Sequence, residues 1–493
     1  MDAVLGGVLD PDDWDNFRTQ SHQMLDDMID HLQTLRQRPV WQPAPEAIRQ
    51  RFKSPLPKGE TALSVLHAEF MQYILPFAVG NTHPGFMGWV HGGGTPVGMV
   101  AEMLAAGLNA NLGGRNQIPL EVERQIIDWM RQLFALPEPT SGVLVAGTSS
   151  ASLIALTTAR NRAQEQGIPT DTLVAYASSE VHGCIARALD VIGLGRGALR
   201  KVACNGQQQI DLLSLQQQIA EDRAQGKSPW LVVGCAGTVN TGAIDDLAAL
   251  SAIAQREQLW LHIDGAFGAL SILAPEIAPR LRGIEMADSL AMDFHKWGQV
   301  PYDAGLVLIR DGALHQRSFA ATDSYLQRET HGLAANTPWP CDYGIDLSRG
   351  FRALKVWFTL KAFGSEKLGA MISHCCQLAR ELEQLVSDHP QLELAAPVSL
   401  NIVCFYHTGS EIRSHTDDDP LTPEQLNALN RAIVRHIQCS GLAAPSLATV
   451  AGRSVIRAAI VNHRTRSEDI IRLIDATEAA AIAYQIPTHR STS

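Results

Sequence analysis

Residues Gly283–Trp297 read GIEMADSLAMDFHKW. The middle of this stretch, Asp288–Phe294, is a short, largely apolar run of the length expected for a buried strand. Directly after it come His295, Lys296 and Trp297. A lysine between a histidine and a tryptophan at a strand end is unusual, because lysines are seldom buried without a partner. Similar runs occur at 142–147 (GVLVAG), 172–178 (TLVAYAS), 230–237 (WLVVGCAG), 259–266 (LWLHIDGA) and 304–311 (AGLVLIRD). Helix-length segments separate them. Strands alternating with helices predict an α/β fold, with a mostly parallel sheet covered on both faces and ligands bound beyond the carboxyl ends of its strands.

The chain has 493 residues, 45% hydrophobic and 18% charged, which fits two or three globular domains. A net charge of −11 leaves no electrostatic footprint for nucleic acid or an anionic membrane surface. The eight cysteines form no C-x-x-C pair and read as reduced thiols. No apolar run reaches the length of a membrane span, and the acidic N-terminus does not resemble a secretory signal, so a cytoplasmic protein with small-molecule partners is expected.

Met24, Leu25, Met28, Ile29 and Leu32 fall at three- and four-residue spacing on one face of a predicted helix. Five prolines in the following stretch, 38–60, predict an extended connection. Together these make residues 1–80 an arm without a core of its own. The cofactor-sized α/β region spans 81–365, and 366–493 read as a smaller α/β domain.

Several motifs follow the predicted strands, and each has an ordinary reading beside a chemical one. Gly147-Thr148-Ser149-Ser150 opens a helix, so its hydroxyls and free N–H groups suit either a plain N-cap or a bound phosphate. The same residues form G-x-S-x-A, and His91-Gly92-Gly93-Gly94 lies upstream, which admits a serine hydrolase with Ser149 as nucleophile. That reading leaves Lys296 without a role. Asp264 ends a strand ahead of the small residues Gly265 and Ala266; it either caps the next element or holds a pyridinium N–H while an aromatic ring lies against the backbone. Lys296 can form a Schiff base with an aldehyde cofactor. His182, at the start of another helix, is either structural or able to stack on a cofactor and exchange a proton.

In order along the chain, THPGFMG (82–88), GTSSASLIAL (147–156), SSEVHGCIARAL (178–189), GTVNTGAIDDL (237–247), LWLHIDGAFGA (259–269), the opening stretch and LSRGFRALKVWFTLKAFG (347–364) resemble the pyridoxal-phosphate-dependent group II amino acid decarboxylases. The resemblance covers nearly the whole chain. It implies the fold type I aminotransferase architecture: a mostly parallel seven-stranded sheet in a large domain, a small C-terminal α/β domain, and an arm exchanged across a homodimer with active sites at the interface. It implies decarboxylation of an amino acid to its amine and CO2 through an internal aldimine on Lys296 and a quinonoid intermediate. By position, Asp264 would partner the pyridine nitrogen, His182 would stack on the ring and Ala266 would lie on its other face. Ser149, Ser150 and His295 would bind the phosphate, with Thr238 beside the ring.

The substrate space is assigned to His83, Phe86, Trp89, Arg115 and Tyr343, and no metal is expected. A tyrosine that protonates the intermediate in the aromatic branch has its place near Trp339-Pro340 here, with Tyr343 three positions later and Tyr325 well before, so a tyrosine, His182 or another group is left open as the proton donor. An aromatic substrate is favoured. The altered loop keeps an oxidative aldehyde synthase open, and Asn109, Asn111 and Arg115 keep an acidic amino acid substrate open. Transamination is a further fold type I alternative.

Overall fold

The computed structural model describes residues 8–320, 328–410 and 421–484. A first short strand, β1 (Phe86–Met87), precedes the seven strands of the main sheet: β2 (Ser141–Val145), β3 (Leu173–Ser178), β4 (Leu199–Val202), β5 (Ser228–Cys235), β6 (Trp260–Asp264), β7 (Ser289–Asp293) and β8 (Gly305–Ile309). Their order is β2-β8-β7-β6-β5-β3-β4. All neighbours are parallel except β8, which runs against both β2 and β7. The expected mostly parallel, seven-stranded sheet is therefore present. Of its strands, β4 has only one neighbour, and its sequence, LRKV, alternates too briefly to stand out.

Side chains alternate between the two faces, so each strand feeds two cores. Leu261 and Ile263 of β6, with Leu290 and Met292 of β7, join one cluster; Trp260 of β6 and Ala291 of β7 join the other. The second cluster includes Ala151, Ile154 and Ala155 of the Thr148–Glu165 helix. By the same alternation, Asp264 and Asp293, the last residues of β6 and β7, fall on this helix-covered face. That parity is what brings two carboxylates together at one end of the sheet.

A second sheet, ordered β1-β11-β12-β10-β9, combines β1 with β9 (Leu392–Leu394), β10 (Ile402–His407), β11 (Ala444–Val450) and β12 (Arg453–Ala459). A long helix, Arg352–Asp388, leads into it and is broken at Gly364, whose φ of 69° is left-handed. Glycine adopts that angle at no steric cost. The proline-rich connection departs from the expected extended chain at Glu46–Arg51, a short helix that starts directly after Pro45, whose fixed φ suits helix entry. The arm helix spans Trp14–Gln33, with Asp13 accepting from the N–H groups of Asp15 and Asn16, and it has no buried residue.

His315 ties the edge of the main sheet together. Its Nδ1 lies 2.7 Å from Ser141 Oγ, and its Nε2 lies 2.8 Å from the Tyr343 carbonyl. Burial lowers its pKa to about 4. Below pH 6.5 the unfolded chain therefore binds a proton that the folded chain refuses, so this contribution is full above 6.5 and is lost as pH falls toward 4. Relative to His315→Gln, the wild type should lose on the order of 3 kcal/mol of unfolding free energy between pH 7 and pH 4. Parallel urea titrations at several pH values measure the difference, and a pH-independent gap would contradict a buried neutral imidazole.

Candidate active site

A cavity of about 530 Å³ opens at the carboxyl ends of β5, β6 and β7. Of the residues expected to act, it is lined by Lys296, Asp264, His182, Ala266, Ser149, Ser150, Thr238, His295 and Trp89. The strand ends supply Asp264 and Asp293, and the turn after β7 supplies His295 and Lys296. The helix after β2 supplies the serines, and the turn after β3 supplies His182.

Lys296 Nζ sits 2.9 Å from Asp293 Oδ2, and the Asp293 side chain is only 3% exposed. Its other oxygen, Oδ1, accepts the Thr148 N–H at 2.7 Å. Gly147, the N-cap of that helix, has no side chain to do so. Asp264 accepts the Ala266 N–H at 3.2 Å. Burial raises the Asp264 pKa, while Lys296, and to a lesser extent His182, oppose the rise. Burial lowers the pKa of His295, against the pull of Asp293, and its Nδ1 accepts from the Ala304 N–H at 3.1 Å. The His182 Nδ1 accepts the Cys184 N–H at 3.3 Å. Two thiols also line the cavity, but burial pushes Cys184 up to about 12 and Cys235 well above its ordinary value, so neither is a nucleophile.

Beside Asp293, the start of the Thr148–Glu165 helix is open to an anion. The Ser150 N–H bonds to the Gly147 carbonyl at 2.9 Å and Thr148 N–H is taken by Asp293. The Ser149 N–H has no partner among the described residues, and the Thr148 Oγ1 is buried without one. A free N–H, nearby hydroxyls and the positive helix end suit a phosphate group.

One wall is aromatic. His91 stacks on Phe86 and on Trp89, at centroid distances of 5.7 and 5.9 Å, and meets Tyr302 edge-on at 5.7 Å. Tyr302 in turn lies 4.3 Å from His295. Trp89 is 54% exposed and holds a positive φ of 48°. Arg457, which burial lowers to a pKa of about 10, fixes this wall by donating to the carbonyls of Trp89, Val239 and Asn240.

The first two glycines of the HGGG segment are not free to form an oxyanion hole. The Gly92 N–H donates to the His295 carbonyl at 3.2 Å and Gly93 N–H to Gln299 Oε1 at 2.9 Å, so two of the segment's three glycine donors are spent. A Cβ at Gly92 would lie 2.4 Å from the Lys296 carbonyl oxygen, which explains glycine there.

Four residues expected in the substrate space are not among those lining the cavity of their own chain. Phe86 stands behind His91 in the aromatic wall. His83 is buried, its Nδ1 accepting the Gly85 N–H at 2.9 Å. Arg115 lies over Trp339 at 4.8 Å, and Tyr343 packs on His315 at 5.1 Å. Trp339 itself is buried beneath Arg115 and Arg328, away from the cavity. Tyr325 falls outside the described residues.

The pyridoxal-dependent decarboxylase conserved domain matches residues 45–408. The chain belongs to this family. An aromatic-L-amino-acid decarboxylase of Bacillus atrophaeus is 32% identical over 473 residues, covering 95% of this chain and 96% of that one. A phenylacetaldehyde synthase of Arabidopsis thaliana is 28% identical, covering 93% and 94% respectively. The crystal structure of Oryza sativa TDC with PLP and tryptamine superposes with a TM-score of 0.87 at 22% identity, over 96% of this chain and 99% of that one.

The protein is thus a pyridoxal-dependent amino acid decarboxylase by family, a carboxy-lyase whose cofactor is pyridoxal 5'-phosphate and whose substrate is a small amino acid molecule. The cavity fits that cofactor on its own chemistry: an amine, a buried carboxylate and an anion-accepting helix start converge in it. Among the described residues no helix is long and apolar enough to cross a membrane, and no side-chain cluster suits a metal ion. The decarboxylase site also contains residues that sequence reasoning passed over. Asp293 and Tyr302 line the cavity and Arg457 braces it, while Thr148 and His91, named only within the GTSS turn and the HGGG segment, line it as well. Asp293 lies within the opening motif, but its partner Thr148 is 145 residues away in the chain, so spacing gave no signal.

Proposed function

We propose that this decarboxylase converts an aromatic L-amino acid to its amine and CO2, with Lys296 as the cofactor lysine. The observation that carries the reading is the convergence of Lys296, Asp264 and His182 in one cavity at the strand ends. Pyridoxal phosphate supplies an electron sink for the bond that loses CO2. Asp264 holds a buried negative charge suited to keeping a ring N–H protonated, and Lys296 provides the attacking amine. His182 is assigned to the ring face, and Ala266, carrying only a methyl group, leaves room on the other. Ser149, Ser150 and His295 are assigned to the phosphate and Thr238 to the ring edge.

The Trp89–His91–Tyr302 wall supports an aromatic side chain, since offset and edge-on ring contacts favour it. Among the described residues that line the cavity, Lys296 is the only lysine or arginine, which leaves a side-chain carboxylate without a dedicated cation. The arm helix without a buried residue, together with exposed Met103, Leu104, Leu108 and Ile118, supports a homodimer in which a second copy covers this surface and completes the site. In that assembly Arg115 and Tyr343 would serve the site across the interface. The divisions 1–80, 81–365 and 366–493 belong to the same reading, supported by the helix break at Gly364, although β1 is lent to the second sheet. Eight free thiols support a reducing, cytoplasmic setting.

A second reading, an oxidative aldehyde synthase, is favoured by the similarity to the phenylacetaldehyde synthase. One experiment separates the two. The purified holoenzyme is given the twenty amino acids, 3,4-dihydroxyphenylalanine, 5-hydroxytryptophan and cysteine sulfinate, with CO2, amine, aldehyde and dioxygen followed together. Amine equal to CO2 from aromatic substrates, without dioxygen uptake, is the expected result. Aldehyde and ammonia formed with dioxygen consumption would replace the first reading by the second.

A further inference from the structure

The Asp293 carboxylate touches two groups that have different fates. Oδ1 receives the Thr148 N–H at 2.7 Å, and Oδ2 receives Lys296 Nζ at 2.9 Å. The first contact replaces the missing side-chain cap of the Thr148–Glu165 helix from another element. The second holds the amine proposed to carry the cofactor. Gly305 is required beside this arrangement, because a Cβ there would lie 2.6 Å from Gly147 Cα and 2.8 Å from Asp293 Oδ1.

We propose that Asp293 is a positioning residue that keeps Lys296 as a seated ammonium beside the helix start until the cofactor arrives. The 2.9 Å contact is a charge-assisted hydrogen bond that Nζ must give up before it can turn toward another partner. An ammonium has no lone pair, so the contact restrains reaction of Nζ while it fixes where Nζ points. The other charged and titratable groups around Asp293 do not take over its role. His295 Nε2 is 3.6 Å from Oδ2, but burial keeps its imidazole neutral. Burial pushes Tyr302 well above the ordinary phenol range and Cys184 up to about 12, so neither is an anion. Asp264 is the one further carboxylate that senses both Lys296 and Asp293, and it has the Ala266 N–H as its own contact.

The same placement sets a second consequence. The helix start that suits a phosphate is already faced by a carboxylate, so the anion must settle on the Ser149 N–H and the hydroxyls rather than on the Thr148 N–H. Asp293 therefore divides the helix terminus, keeping one donor for the fold and leaving the next for the ligand.

This inference rests on Lys296 being the cofactor lysine, yet its test needs neither cofactor nor turnover. The full-length chain, freed of cofactor, is treated with formaldehyde and cyanoborohydride at pH 7, and methylation of Lys296 is timed by peptide mass spectrometry, with an exposed lysine, Lys201, as internal standard. Asp293→Asn keeps an oxygen for the Thr148 N–H but removes the charge, so Lys296 should be methylated on the order of tenfold faster while Lys201 is unchanged. Equal Lys296 rates in the two proteins would overturn the proposal. A second measurement guards against a folding defect. Lys296→Met should lower the melting temperature of the cofactor-free wild type more than that of the Asp293→Asn protein; equal losses would show that the two side chains are not coupled.

Discussion

Lys296→Ala should give a folded protein that lacks the visible absorption band of lysine-bound pyridoxal phosphate and forms amine on the order of 10⁴-fold more slowly than the wild type or worse. Nζ is the only lysine amine among the described residues lining the cavity, and no cavity thiol can replace it, because burial raises both. The cofactor should still bind without a covalent bond, since the Ser149 N–H and the neighbouring hydroxyls do not depend on Lys296. Absorbance spectra, equilibrium dialysis and a single-turnover amine assay check the three parts. A variant that keeps the band would move the cofactor lysine elsewhere.

Asp264→Asn is the second large effect expected, a loss in kcat on the order of 10³-fold with a much smaller change in KM. Asparagine preserves the shape and can still accept the Ala266 N–H, but it removes a buried negative charge. In the proposed role, Asp264 would favour a protonated ring nitrogen, and its loss would weigh on the bond-breaking step much more than on substrate binding. The wild-type rate should also fall on the acid side at a pH above the ordinary carboxylate range. Burial raises the Asp264 pKa, so this carboxylate gains its proton earlier as pH drops, and the negative charge is lost with it. The acid limb assigned to Asp264 should be absent from the residual activity of the variant. A kcat within tenfold of wild type would remove Asp264 from the chemistry.

The two substitutions differ in what they reveal about legibility. Lys296 and Asp264 were readable because each follows a short apolar run, and strand ends are where an α/β sheet binds ligands. The Ser149-Ser150 turn was readable for the same reason. The aromatic wall was not. Trp89 was named as a substrate contact, but its stacking partner His91 was visible only as part of an HGGG segment whose first two glycine donors are engaged by His295 and Gln299. Arg115 and Tyr343 were named from their places in a motif order, yet each side chain found an aromatic partner of its own, Trp339 and His315.

Sequence by itself determined the α/β class, the succession of strands and helices along the chain, and the lysine and aspartate that follow two of the strands, because short apolar runs and the residues at their ends are local signals. The tertiary structure decided what those residues meet. Strand parity placed Asp264 and Asp293 on one face, and the packing of the Thr148–Glu165 helix against that face gave Asp293 both a helix terminus and a lysine to hold. Such contacts join residues far apart in the chain, and their energies depend on burial and distance, which no local pattern of residues encodes.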